Sequence, residues 1–268
     1  MSMIKSQSIS KSKTLAIHKL LQKKYRAENK KFLVEGVKNV EEALASDWKV
    51  LMVLVAPDFF ARSRQEFLSI PKLRNTPCYQ VSEREFRKFS DTVHSQGIAA
   101  VIGQRVYRTD LLGTLGESSI VVALDEVTEP GNMGTIIRTC DWFGVEALLI
   151  GKESVEVFNP KVVRSAMGSI FHVPFISGVN LGEELGTLKA KGFRVCCATV
   201  QEGVKIDSVA RGNRTIIVFG NEARGVSPKV MRLADQQLGI PRFGKAESLN
   251  VGVACGVVLG LIRMRATP

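Results

Sequence analysis

Residues 120–150, IVVALDEVTEPGNMGTIIRTCDWFGVEALLI, decide the fold class. Ile120–Leu124 is a short apolar run of strand length, and Ala147–Ile150 is a second one. Between them Met133–Phe143 carries helical spacing of its apolar residues, and Gly144 stands where a helix commonly ends. Strand, helix and strand within some thirty residues make a βαβ unit, and such units build parallel sheets.

The same alternation continues downstream. Helices are expected at Lys161–Met167, Gly182–Lys191 and Pro228–Leu233, the last with Ser227 as its N-cap. Strands are expected at His172–Ile176, Arg194–Val200, Thr215–Phe219 and Gln237–Ile240, and a final helix runs from near Ser248 to about Arg265. The result is an α/β domain, a mostly parallel sheet with helices on both faces. Upstream, 32–103 reads as a small α/β unit. Its strands are Phe32–Gly36, Val50–Val55 and Gly97–Gly103, and its helices Val37–Ala45 and Glu83–Phe89. The expected division is a first domain over 1–104, a linker over 105–118 with one helical turn, and a second domain over 119–268.

Charge is distributed unevenly. The net charge is +11, and residues 1–31 hold nine Lys or Arg against the single acid Glu28. Leu15, Ile17, Leu20, Leu21 and Tyr25 interleave with these cations, so the segment reads as a basic amphipathic helix. A solvated basic face is the plain reading, and a nucleic acid, whose phosphates release counterions on neutralisation, is the natural partner. The short apolar face carries no Trp or Phe, which disfavours a membrane surface. Mean hydropathy is near zero, and no uncharged apolar run is long enough to span a bilayer. The N-terminus lacks the apolar block of a secretory signal. Five cysteines without a C-x-x-C pair point to reduced, buried thiols in the cytoplasm, with neither a disulfide framework nor a metal site.

In an open parallel sheet, ligands sit outside the carboxyl ends of the strands, so the loops there are the candidate sites. Three stand out. Glu129-Pro130-Gly131-Asn132-Met133-Gly134 leads into Arg138-Thr139. It is either an anion-holding helix start, with Arg138 projecting towards it, or an ordinary turn with a solvated arginine. Phe219-Gly220-Asn221-Glu222-Ala223-Arg224-Gly225 closes a strand with a glycine that would let a flat ligand approach, or simply holds a surface Glu–Arg pair. The third loop, Ile240-Pro241 to Ser248-Leu249-Asn250, opens the last helix, with one of its polar residues as cap. Gly239–Lys245 fits G-x-x-x-x-G-K, but Ala246 replaces the hydroxyl residue and Pro241 removes a cradle amide, so nucleotide hydrolysis is rejected. No G-x-G-x-x-G fingerprint occurs either.

Together the three loops resemble the motifs of the SpoU (TrmH-type) RNA 2′-O-methyltransferases of the SPOUT class. Asn132 to Thr139 looks like motif 1, Phe219–Glu222 with Arg224-Gly225 like motif 2, and Ile240-Pro241 with Ser248-Leu249-Asn250-Val251 like motif 3. Val163–Gly168 resembles the segment between motifs 1 and 2, while Phe32–Gly36 and Gln96–Ala99 resemble an L30e-like substrate-binding domain. The resemblance implies a deep trefoil knot in the second domain, a homodimer and S-adenosylmethionine as cofactor, with no metal. It places the cofactor against Thr199, Gly220, Asn221, Ile240 and Leu249, and catalysis on Arg138, Asn132, Glu222, Ser248 and Asn250. A guanidinium is a poor free base. Arg138 is therefore expected to grip substrate phosphate and stabilise the developing alkoxide, with Glu222 holding the arginine or the loop. Gly252 departs from the serine of many relatives. His18, His94 and His172 match no motif. Large-subunit ribosomal RNA is favoured as substrate over transfer RNA; a non-catalytic RNA-binding protein would share the fold, but the polar motif residues are all present.

Overall fold

The computed structural model describes residues 6–57, 59, 63, 67, 69–90, 95–200 and 214–266. The chain forms two compact units, Met1–Arg105 with Phe158–His172, and Val106–Val157 with Val173–Pro268.

The first unit is built on a mixed sheet in the order β1 (Ser6–Ser8), β4 (Cys78–Gln80), β3 (Val50–Val55), β5 (Ile98–Gly103), β2 (Lys31–Glu35). β5 runs antiparallel to both β2 and β3, and β4 is parallel to β1 and β3. Its helices are α1 (Lys11–Lys19), α2 (Lys23–Asn29), α3 (Val37–Ala45), α4 (Pro71–Arg74) and α5 (Glu83–Phe89). α7 (Pro160–Ser165), after α6 of the second unit, also packs here. Phe158 and Phe171 stack around Phe32 and Trp48, which is why this excursion belongs to the first unit's core. The helix expected over Lys161–Met167 stops at Ser165, because Met167 and Gly168 both adopt positive φ. His172 ends a 3-10 turn, Ser169–Phe171, and sits 3.1 Å from Glu42; the strand expected there begins at Phe175 instead.

The basic N-terminal segment is folded into this unit. It forms two helices rather than one, broken at Leu20–Gln22, and Ile17 and Leu20 join the core beside Phe86 and Phe89. Lys11, Lys13, Lys19, Lys23, Lys24, Lys30 and Lys31 are exposed, whereas Lys5 lies outside the described residues. Arg26 does not belong to the basic face. It is 2% exposed and donates to the Leu20 and Leu21 carbonyls at 2.9 and 2.8 Å, satisfying the open end of α1. His18 bonds the Lys88 carbonyl, and His94 lies outside the described residues.

The second unit holds six strands, all parallel, in the order β11 (Gln236–Gly239), β9 (Arg194–Thr199), β10 (Thr215–Phe219), β6 (Ile120–Leu124), β7 (Ala147–Gly151), β8 (Phe175–Val179). Parallel strands are buried on both faces. Val121, Ala123, Ala147, Leu149, Ile216 and Val218 pack with α8 (Leu181–Ala190) and α9 (Pro228–Met231) on one face. The alternate residues Val122, Leu124, Leu148 and Ile217 are just as buried and must point to the other. That leaves them α6 (Pro130–Trp142) and α10 (Val251–Ala266), which pack on each other. Close approach of these two helices rests on glycine. A Cβ at Gly252 would meet the Thr135 methyl at 3.0 Å, and Gly256 and Gly260 face Thr139 and Phe143. Leu112, in the stretch expected to be a linker, is fully buried in this core.

All five cysteines are buried and free. Burial pushes the thiols of Cys78 and Cys196 up to about 11 and that of Cys197 to about 12, so they stay protonated at neutral pH. Among the described residues no helix is long and apolar enough to cross a membrane.

Arg26→Ala is expected to cost about 2–4 kcal/mol in denaturant unfolding, since it strips charged donors from buried carbonyls. The neighbouring exposed Lys24→Ala should stay within about 0.5 kcal/mol of the parent. Equal effects would mean that Arg26 is no staple.

Candidate active site

Because all six strands run the same way, the loops after β6, β10 and β11 open on one edge of the sheet. The first of them becomes helix sooner than its sequence suggests. Pro130 occupies the first helical position of α6, where a missing N–H costs nothing, so Gly131 and Asn132 lie in the first turn. The Glu129 carboxylate caps that turn, accepting from the Asn132 N–H at 2.8 Å. An anion-holding helix start is therefore not what this loop offers: a carboxylate of the chain already sits there.

The second loop turns back on itself. Asn221 and Gly225 exchange backbone hydrogen bonds of 2.9 and 2.8 Å, and Gly225 has φ of 69°. A Cβ on Gly220 would lie 2.1 Å from the Gly225 carbonyl carbon, so only glycine fits beneath the turn. The Asn221 side chain holds both ends: its oxygen accepts from the Ala223 and Arg224 N–H groups, and its nitrogen donates to the Glu126 carbonyl. Arg224 pairs with Glu126, 98 residues away, and not with Glu222 two residues before it. Ser227 stands at the N-cap of α9, yet its hydroxyl makes no capping bond; its N–H donates to the buried Asp125 carboxylate at 2.8 Å.

Glu222 is thereby left for the first loop. It accepts from the Asn132 amide at 2.9 Å, from the Glu129 N–H at 3.2 Å, and from the Thr128 N–H and hydroxyl at 3.4 and 3.3 Å. Burial pushes this carboxyl up, but the bonds from Asn132 and from backbone N–H groups outweigh it, and the net shift is below the ordinary 4.5. The third loop closes the chain of contacts. Asn250 donates to the Asn132 oxygen at 2.8 Å, and its own oxygen accepts from the Gly252 and Val253 N–H groups. Asn250, not Ser248, is thus the cap, and α10 begins at Val251. Each bond contributes only about 0.5–1.5 kcal/mol net, so the three loops depend on the set.

Of the expected catalytic residues, Asn132, Glu222 and Asn250 meet in one hydrogen-bonded line. Arg138 is exposed on α6, two turns on, and Ser248 is exposed in the third loop; neither joins that line. Thr199 ends β9, Gly220 and Ile240 directly follow β10 and β11, these three strands are neighbours in the sheet, and Leu249 is 48% exposed. Glu129, Thr128, Glu126 and Asp125 were not singled out from sequence. Glu129-Pro130 is the one local signal that could have found any of them. Among the described residues no group of three His, Cys, Asp or Glu is placed to hold a metal.

Comparison with known proteins identifies the family of both parts of the chain. The sequence pattern of an MRM3-like substrate binding domain matches residues 11–100. The 23S rRNA (guanosine(2553)-2′-O)-methyltransferase RlmP of Bacillus subtilis is 35% identical over 91% of this chain and 93% of its own length. An AdoMet-bound rRNA methyltransferase from Sinorhizobium meliloti superposes with a TM-score of 0.84 at 27% identity, over 98% of this chain and 99% of that one. The SpoU methyltransferase AviRb from Streptomyces viridochromogenes, in complex with AdoMet, gives 0.82 at 25% identity, over 96% and 99%. With the pattern of the SpoU rRNA methylase family itself matching residues 119–260, and a relative this similar along nearly its full length, the chain belongs to the SpoU rRNA methylase family.

Proposed function

We propose that the protein transfers the methyl group of S-adenosylmethionine to a ribose 2′-hydroxyl of large-subunit ribosomal RNA. The observation that carries this reading is the hydrogen-bonded junction of Asn132, Glu222 and Asn250 at the strand ends of a SpoU-family chain. Ribosomal RNA is favoured over transfer RNA because a relative 35% identical over 93% of its own length is a 23S rRNA enzyme. The exposed lysines of α1 and α2 add the sequence-independent attraction that a polyanion needs.

The cofactor suits the ends of β9, β10 and β11. Backbone groups at Thr199, Gly220 and Ile240, with the apolar side chains of Ile240 and Leu249, are suited to a flat, neutral adenosine; Asn221 keeps the Gly220 turn in shape. When bound, S-adenosylmethionine supplies a methyl group on a sulfonium, open to in-line attack. Arg138, which has no hydrogen-bond or ion-pair partner among the described residues, is free to grip a substrate phosphate and stabilise the developing alkoxide. Asn132 spends both ends of its amide on Glu222 and Asn250, so it acts by positioning. Ser248, exposed and without a hydrogen-bond partner among the described residues, is placed to orient substrate or cofactor.

The working unit is a homodimer in the cytoplasm, with the site at the interface. α10 supports this, being apolar nearly all round: Val253 and Met264 are 52% and 76% exposed on the face away from its buried residues, with Val257 between them. Trp142 on α6 is 84% exposed. A trefoil knot is supported by the strand order, since the chain passes from β10 across β9 to reach β11 and then returns to α6.

Label from S-adenosylmethionine should appear as 2′-O-methylnucleoside in an unmodified 23S rRNA transcript and not in unmodified tRNA. Labelled tRNA alone would move the substrate, and no label without cofactor binding would leave an RNA-binding protein. Arg138→Ala should lower transfer at least about 100-fold, with cofactor affinity nearly unchanged; lost cofactor binding would place Arg138 elsewhere. Glu222 holds its loops as a carboxylate, with its folded pKa below the unfolded one. Its contribution is complete above the ordinary value of 4.5 and is lost as pH falls through the folded value. Glu222→Gln should therefore lower Tm at neutral pH, by an amount that shrinks on acidification; a deficit constant with pH would rule that out.

A further inference from the structure

Phe243 is 99% exposed, the most exposed of the large apolar side chains described, and it makes no ring contact among the described residues. It stands in a loop, Pro241 to Asn250, in which every residue is exposed. Leaving a phenyl ring in water forgoes the gain of burying it. Its neighbours say what kind of occupant would cover it. Arg242 immediately before it and Lys245 two residues after it are exposed, and neither has a hydrogen bond or ion pair among the described residues. The loop's one acid, Glu247, lies further along.

We infer that Phe243 is a base-stacking residue for the RNA substrate, with Arg242 and Lys245 on the phosphates beside the stacked base. An aromatic ring between cations on an open loop is how single-stranded nucleic acid is gripped, because every base has a π-face and every nucleotide a charge. The other two occupants fit the charges less well. S-adenosylmethionine carries a sulfonium and no phosphate, so it leaves the two cations without a counter-charge. A second copy of this chain is expected against the apolar face of α10, and two exposed cations offer it no such surface. Pro241 fixes one backbone angle of the loop, which reduces the entropy lost on ordering it. Position ties the contact to the reaction. Phe243 is four residues beyond β11 and seven before Asn250, which bonds Asn132, so an extended chain keeps it within about 25 Å of that residue. The stacked base thus lies within a few nucleotides of the methylated ribose. Phe243 therefore selects for an unpaired flanking nucleotide, a property of the substrate's shape rather than of its target base.

This inference rests on the methyltransferase reading above, and the test separates the two. Methylation of an unmodified 23S rRNA transcript is measured for the full-length protein and for Phe243→Ala, Phe243→Leu and Phe243→Trp, with cofactor affinity by calorimetry and mass by light scattering. Phe243→Ala is expected to raise KM for RNA on the order of 10- to 100-fold. Phe243→Leu, apolar but without a π-face, should resemble it, and Phe243→Trp should return KM to within about threefold of the parent. Cofactor affinity and mass should not change. If the parent itself transfers no methyl, the function fails and the inference goes with it. If the parent works and the variants keep its KM, the inference alone fails. A selective loss of cofactor affinity would assign the ring to the cofactor, a change in mass would assign it to a second copy, and rescue by leucine as well as by tryptophan would make it plain apolar packing; each overturns stacking on RNA.

Discussion

The exposed Glu222 carboxylate takes protein donors from a loop some ninety residues earlier in the chain. That satisfaction joins the segment after β6 to the segment after β10, and through Asn132 it reaches Asn250 and the start of α10. No single bond in the line is strong. Its force is geometric, because three loops that could each relax in water are obliged to share one arrangement. The carboxylate stays charged for the same reason, as bonds from the Asn132 amide and backbone N–H groups outweigh the cost of its partial burial.

Two backbone constraints make the arrangement possible. The turn after β10 must pass directly over Gly220, at a distance that tolerates no side chain, and Asn221 then ties the turn to Glu126. α10 can lie close to α6 because Gly252 presents no side chain to Thr135, where a Cβ would come within 3.0 Å. Gly252, where many relatives have serine, sits hard against Thr135, so the departure falls on helix packing. Gly220 and Gly252 are the two positions at which an added Cβ would crowd this arrangement.

Much of this was legible in the chain itself. Apolar strands of four to six residues alternating with helical patterns lead to a parallel sheet, and a parallel sheet brings its strand ends to one edge. The three loops could be picked out for that reason, and the resemblance of their motifs marked Asn132, Glu222 and Asn250 within them. Their pairing could not. The proximity of Glu222 and Arg224 in sequence suggested a local ion pair, whereas Arg224 reaches Glu126 and leaves Glu222 to the first loop. Helix ends went astray where a single backbone angle decides them. Pro130 starts α6 three residues early, positive φ at Met167 and Gly168 stops α7, and Asn250 takes the cap in place of Ser248.

Local pattern therefore determined the class of fold, the order of the elements, and which polar residues lie at the working edge, since strand and helix periodicity are properties of neighbouring residues. The tertiary structure decided what those residues do to one another. It took Arg26 out of the basic face and made it a buried staple for α1, put the excursion through Phe158 and Phe171 into the first unit's core, and left Phe243 and Arg138 open to solvent. Such outcomes depend on burial and on donors brought from distant positions, and periodicity along the chain holds no record of either.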